Sequence, residues 1–183
     1  MVLTESARTI LGSKAPDFSL KGTNDHLYSL SDFRDAKILV IVFMCNHCPY
    51  VQACISRLVG LQADFADMRV RFVGINSNDS VNYPEDNFEA MGVFFREKQM
   101  NFPYLHDEKQ HVARDYGAVC TPDIFVFDGE RKLRYHGRIY NNWKEPLKVS
   151  SHELRDALSA LVEGREPRSD QHPAMGCSIK WKE

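Results

Sequence analysis

A chain of 183 residues, 43% hydrophobic and 26% charged, has the length of one well-cored domain and the make-up of an ordinary globular protein. Its net charge of −2 leaves no electrostatic footprint for nucleic acid or an anionic membrane surface. No run approaches the roughly 18 apolar residues of a membrane span. Five cysteines (Cys45, Cys48, Cys54, Cys120 and Cys177) are too few and too unevenly spaced for a disulfide scaffold. Residues 1–8 lack a basic segment followed by an apolar core, so no secretory signal is expected and the chain is placed in the cytoplasm. In that compartment a Cys-x-x-Cys is redox-active or metal-binding rather than structural.

In chain order, residues 11–36 are turn-rich with short apolar alternations, Pro16-Asp17-Phe18-Ser19-Leu20 and His26-Leu27-Tyr28-Ser29-Leu30. These suit a small hairpin or a pair of edge strands ahead of the main sheet. Ser31-Asp32-Phe33 reads as the start of a helical turn. Lys37 to Phe43 is short and rich in β-branched residues, as expected of a strand buried on both faces. After Pro49, the apolar residues Val51, Cys54, Leu58, Leu61 and Phe65 recur at spacings of three and four. That is one face of an amphipathic helix, with Pro49 suited to its first turn.

Val70 to Asn76 is the next strand, followed by a loop through Asn76–Ser80 and a second helix from Pro84 to about Lys98. An extended piece at Tyr104-Leu105 and a brief helix through Val112–Tyr116 come next. Ile124–Asp128 and Leu133–Arg138 form a strand pair with a turn at Gly129-Glu130, and His152 to about Val162 is the last helix. The order predicts an α/β domain with a central mixed β-sheet flanked by helices. One domain spans 1–183, with its core over about 10–163. Residues 164–183 form a tail whose Ile179 and Trp181 predict docking on the domain.

The chemistry is concentrated at Cys45-Asn46-His47-Cys48, where the apolar strand gives way to the helix. Two thiols three apart can close a small disulfide, which stores or releases two electrons. Thr121-Pro122 supplies a proline that can pack against such a pair. The constellation reads as thiol–disulfide exchange, with a protein or small-molecule disulfide as substrate and a second dithiol or disulfide as redox partner. No cofactor is called for.

Three pieces in order carry a family resemblance: Ala15-Pro16-Asp17-Phe18-Ser19-Leu20, Cys45-Asn46-His47-Cys48 and Thr121-Pro122-Asp123. Together they resemble the thioredoxin superfamily, in its redoxin (AhpC/TSA- and TlpA-like) branch, whose members share an N-terminal extension. The resemblance implies a thioredoxin-like fold with an N-terminal β-hairpin extension. It also implies a nucleophilic thiolate, a resolving cysteine, and a cis proline, Pro122, shaping with Thr121 a groove for an extended substrate segment. The usual rule for such pairs makes Cys45 the attacking thiol and Cys48 the resolving one. An alternative register makes Cys48 the nucleophile, because Phe43 stands before it at the thioredoxin spacing and Cys48-Pro49 resembles the Cys-Pro of peroxiredoxins. His47 sits where DsbA-like proteins carry the histidine of Cys-Pro-His-Cys, and tunes the thiolate. The buried acid that many thioredoxins carry beneath the pair has no counterpart in Ile38–Phe43, so proton transfer needs His47, water or a residue from elsewhere.

Peroxiredoxins carry Thr or Ser three residues before the reactive cysteine and Pro seven before it. Cys48 has Cys45 and Ile41 there, and Cys45 has Val42 and Ile38. A thiol peroxidase is therefore the second reading. A non-catalytic zinc or interaction module is the third, with Cys45, His47, Cys48 and Cys120 or Cys177 as the conceivable ligands. Zinc needs four ligands and a second closely spaced pair is absent, so no metal is expected. Cys120, two residues before Pro122, is expected on the loop facing the pair, as a possible third thiol. Cys54 reads as an inert core residue and Cys177 as tail packing. Asn76, Asn78 and Asp79 read as turn residues, and His106 and His111 as surface residues.

Overall fold

The computed structural model describes residues 3–7, 9–143 and 145–183. Met1, Val2 and Arg8, part of the segment read for a secretory signal, lie outside the described residues, as does Lys144. The strands are β1 (Leu3–Glu5), β2 (Ser19–Gly22), β3 (Leu27–Ser29), β4 (Ile38–Phe43), β5 (Val70–Asn76), β6 (Tyr104–His106), β7 (Cys120–Thr121), β8 (Asp123–Phe127), β9 (Leu133–His136) and β10 (Met175–Ser178). The α-helices are α1 (Pro49–Phe65), α2 (Phe88–Glu97), α3 (His111–Tyr116) and α4 (Glu153–Val162). No helix is long and apolar enough to cross a membrane among the described residues.

The main sheet runs β3-β2-β6-β5-β4-β8-β9. β4, β5 and β6 are parallel, while β8 and β9 on one side and the β2–β3 hairpin on the other are antiparallel. All six residues of β4 are buried, which is why the strand reads as an unbroken apolar run rather than an alternation. Ile38, Val40 and Val42 face one core with Cys54 and Leu58 of α1, Met91 of α2 and Leu158 of α4. Leu39, Ile41 and Phe43 face a second core with Val112 and Tyr116 of α3 and Phe18 before the hairpin. Helices therefore cover both faces, as the mixed-sheet expectation requires.

Two elements differ from the sequence reading. The helix expected from Pro84 is broken: Pro84–Asp86 is a single 3-10 turn, and α2 begins at Phe88 behind an extended Asn87. Asn87 Oδ1 accepts from the Ala90 amide at 2.8 Å, a side-chain cap that starts a new helix and leaves Asp86 pointing inward. The tail does more than dock. β10 pairs antiparallel with β1 on one side and β7 on the other, making a second, three-stranded sheet. Cys177 lies opposite both Leu3 and Thr121. Gly176 admits this packing because a Cβ there would fall 1.9 Å from the Thr121 carbonyl oxygen.

Candidate active site

β4 ends at Phe43, and the chain turns through Cys45, Asn46 and His47 into α1. Pro49 opens the helix and Cys48 is its N-cap, with extended backbone angles (φ −70°, ψ 118°). Proline suits this first position because its missing N–H has no partner there anyway. The helix-terminus argument that the usual rule applies to Cys45 therefore belongs to Cys48, because Cys45 precedes the helix by a full turn of loop.

The Thr121–Pro122 bond is cis, and its loop lies against the pair. Cys48 Sγ is 3.1 Å from the Thr121 carbonyl oxygen and 3.2 Å from Cys177 Sγ. Cys45 Sγ lies 3.5 Å from Thr121 Oγ1. All five cysteines are buried. Hydrogen bonding from the Cys45 side chain pulls the Cys48 pKa down to about 5, against its burial; Thr121, Cys177 and the Val51 amide add to the effect. Cys45 is pushed well above the ordinary thiol range, first by that same bond to Cys48, then by burial and by the charge of Asp86. The two shifts run in opposite directions, which makes Cys48 the more acidic thiol of the pair. Burial and the Cys48 sulfur push Cys177 up to about 12.

The missing acid beneath the pair is supplied from elsewhere. Asp86 is fully buried. Its Oδ1 accepts from the Asn46 amide at 2.7 Å and the His47 amide at 3.3 Å. Its Oδ2 lies 2.5 Å from His47 Nδ1 and accepts from Asn78 Nδ2 at 2.7 Å. A buried carboxylate costs several kcal/mol unless its lone pairs are met, and here they are. Asn76 Nδ2 donates to the Asp86 carbonyl at 2.9 Å, while Asn46 is held by Tyr104 Oη at 2.9 Å and by Gln52 at its carbonyl. His47 stacks on Tyr83, ring planes 6° apart. Asn76 and Asn78, read from sequence as turn residues, are the walls of this carboxylate site.

A ring nitrogen of His47, a carboxylate oxygen of Asp86 and Cys45 Sγ lie within 4.8 Å of one another. Among the described residues, the same three are the cluster with donor atoms close enough to hold a metal ion; it shares Cys45 and His47 with the set conceivable from sequence and has Asp86 in place of Cys48 and Cys120 or Cys177.

Cys120 is buried beside Thr121 on β7, near enough to Cys48 and Cys177 for their charges to act on it. Its sulfur lies 3.9 Å from the Pro122 carbonyl oxygen, and burial, then Asp123, raises its pKa. Cys177, on β10, is the thiol whose sulfur lies against Cys48. Cys54 lies on the buried face of α1 with its pKa raised by burial. His106 is half-buried against Phe88 rather than at the surface, while His111 is exposed. Asp123 pairs with His136 at 2.7 Å, tying the strand after Pro122 to β9. Beside Pro122, a cavity of about 210 Å³ is lined by Tyr50, Ile139, Trp143, Ala174 and Met175.

The AhpC/TSA family model matches residues 11–136. An uncharacterised conserved protein from Geobacillus kaustophilus has the same fold with a TM-score of 0.95 and 42% identity, over 100% of this chain and 97% of its own. A putative peroxiredoxin, bcp, of Haemophilus influenzae is 26% identical over 72% of each chain. The thiol:disulfide interchange protein DsbE of Xylella fastidiosa is 28% identical over 69% of this chain and 60% of its own. The chain spans from 60% to 73% of the length of the curated relatives it matches.

Proposed function

The chain belongs to the AhpC/TSA family, in the redoxin branch of the thioredoxin superfamily, and from that premise we propose that it is a thiol–disulfide oxidoreductase working through Cys45 and Cys48. The observation that carries the reading is Cys48 at the N-cap of α1, its sulfur in contact with Cys177 and with Thr121 of the Thr-Pro loop. In this reading Cys48 is the nucleophile. The helix terminus and the Cys45 thiol keep it ionised. It attacks one sulfur of a substrate disulfide and forms a mixed disulfide, and the first substrate thiolate leaves.

Cys45 resolves. Once Cys48 is bound covalently, the hydrogen bond that held the Cys45 proton is gone, and His47 with Asp86 accepts that proton. Attack of Cys45 on Cys48 then closes the disulfide and frees the second substrate thiol. His47 is thus a positioning and proton-carrying residue. Thr121 and Pro122 border the groove, and the apolar cavity beside Pro122 suits a hydrophobic side chain flanking the substrate cysteine. In this direction the redox partner that recharges the pair is a second dithiol, which gives two electrons to the Cys45–Cys48 disulfide; in the reverse direction it is a disulfide.

Hydroperoxide reduction is the competing reading, favoured by the relatives that are peroxiredoxins. The absence of the Thr/Ser and Pro before either cysteine weighs against it. Insulin-disulfide reduction and peroxide consumption, each measured on wild type, Cys45→Ser and Cys48→Ser, decide between them. Exchange predicts insulin reduction that needs both thiols for multiple turnover. Peroxide turnover that survives loss of Cys45 and exceeds insulin reduction overturns the exchange reading.

A further inference from the structure

A sulfur of the tail lies against Cys48, and the exchange steps through Cys45 and Cys48 do not use it. Cys177 Sγ stands 3.2 Å from Cys48 Sγ across 129 residues of sequence. The contact is built. β10 runs antiparallel along β7 with Cys177 opposite Thr121 and Ser178 opposite Cys120, and the Ile179 amide continues the pairing to Val119 O at 2.9 Å. Asn78 Oδ1 accepts from the Lys180 amide and Gln110 Nε2 donates to the Lys180 carbonyl. Gly176 has no room for a side chain against Thr121. Asn78 also holds Asp86, so one side chain joins the tail to the acid beneath the pair.

An extended segment paired beside Thr121, with a sulfur against Cys48, is what a disulfide substrate would present to this groove. Here the chain presents it to itself. Cys45, Cys48 and Cys177 are 1%, 0% and 2% exposed, so an external disulfide has no direct access to Cys48 in this arrangement, and β10 is one of the elements against it.

We propose that Cys177 is a third redox thiol of this site, a second resolving cysteine carried on β10, which occupies the substrate strand's place when the groove is empty. This rests on the reading of the pair as a thiol–disulfide exchange centre. The substrate displaces β10, and Cys48 attacks its disulfide, forming Cys48–S–S–R and releasing the first R–S⁻. β10 then returns, and Cys177 gives up its proton. Its sulfur attacks Cys48, the Cys48–Cys177 bond forms, and the second R–S⁻ leaves and takes up a proton. One substrate disulfide is reduced by two electrons, and two protein thiols are oxidised to one disulfide. Cys45 can afterwards attack Cys48 and expel Cys177 as a thiol, with no net oxidation or reduction. The tail thiol is held protonated at rest by burial and by the neighbouring Cys48 sulfur, and the Lys180 ammonium works against both.

The test uses the full chain, reduced and then exposed to limiting Ellman's reagent, with alkylation and a non-reducing peptide map. Cys45→Ser is expected to release both thionitrobenzoate halves, the second within about tenfold of the wild-type rate, and to yield a Cys48–Cys177 peptide. Cys45→Ser with Cys177→Ser is expected to release only the first half and hold the reagent on Cys48. Melting curves of each variant establish that it is folded. Because Cys177→Ser could disturb β10, the Cys45→Ser variant alone decides. If it stalls with reagent on Cys48 while wild type releases both halves, Cys177 is not a resolving thiol and the exchange reading stands. If folded wild type releases neither half, both readings fall.

Discussion

Asp86 reaches the His47 ring from 39 residues away, with its Oδ2 2.5 Å from Nδ1, and the same carboxylate holds the backbone of the Cys45–Cys48 loop. A single acid thereby holds the loop backbone and the His47 ring together.

Replacing Asp86 by Asn should separate the two chemical steps. Its amide keeps an acceptor for the Asn46 and His47 amides but turns a donor toward Asn78 Nδ2, and the charge beside Cys45 is lost. The first release from Ellman's reagent should change little, while closure of the Cys45–Cys48 disulfide slows by about a hundredfold, the usual scale for a lost general base. Stability should fall by about 1–3 kcal/mol, the cost of leaving buried hydrogen-bonding groups without their partners. Stopped-flow absorbance and thermal melts read both. An unchanged resolving rate would remove Asp86 from the proton path.

The reactivity of Cys48 should follow its lowered pKa. Iodoacetamide modification, mapped by mass spectrometry, should titrate with a midpoint of about 5 rather than in the ordinary thiol range. Folding is linked to the same proton. A thiol whose folded pKa lies below its unfolded value of about 8.5 stabilises the fold fully above that value, and loses the contribution as pH falls toward about 5. The raised thiols, Cys45 and Cys177, act only above about 8.5, outside this window. The Tm advantage of reduced wild type over Cys48→Ser should therefore shrink steadily between pH 8 and pH 5. A difference independent of pH would contradict a Cys48 thiolate in the folded protein.

Gly176→Ala places a methyl group 1.9 Å from the Thr121 carbonyl oxygen, so β10 must leave its pairing. Alkylation of Cys48 should accelerate by about tenfold or more, the factor expected when closure of the tail loses roughly 1.4 kcal/mol. The main sheet should persist, and far-UV circular dichroism should be nearly unchanged. Slower or equal labelling would mean that the tail does not gate the pair.

Tyr104→Phe tests the packing beneath the loop. The phenol donates to Asn46 Oδ1 at 2.9 Å inside the core, and its removal leaves that oxygen without its buried donor. A loss of about 1–3 kcal/mol in urea-denaturation stability is expected. The midpoint for Cys48 labelling should remain where it was, since Tyr104 does not touch that sulfur.

What could be read ahead of the structure followed the strength of local patterns. Ile38–Phe43, Pro49–Phe65 and Val70–Asn76 each carry a continuous or 3.6-residue apolar signal, and each forms the expected element. β1 and β10 are three and four residues long and partly exposed, and their strand character comes from pairing with each other across the chain. No local signal exists for such a pair. Asp86 was hidden for a different reason: Pro84-Glu85-Asp86 has the composition of a helix start, and the Asn87 cap that separates it from α2 looks like any polar residue. The N-cap position of Cys48 is legible in the sequence, because Pro49 marks the first helical residue and the cysteine before it is then the cap.

β10 is flanked by β7 on its inner side and by Leu3–Glu5 on its outer side, so the beginning of the described chain braces its end. Whatever is joined to or trimmed from Leu3–Glu5 pulls on the edge that covers Cys48. An expression tag placed there, or a start site a few codons downstream, would act as an unplanned mutation of the redox centre without altering any residue that touches it.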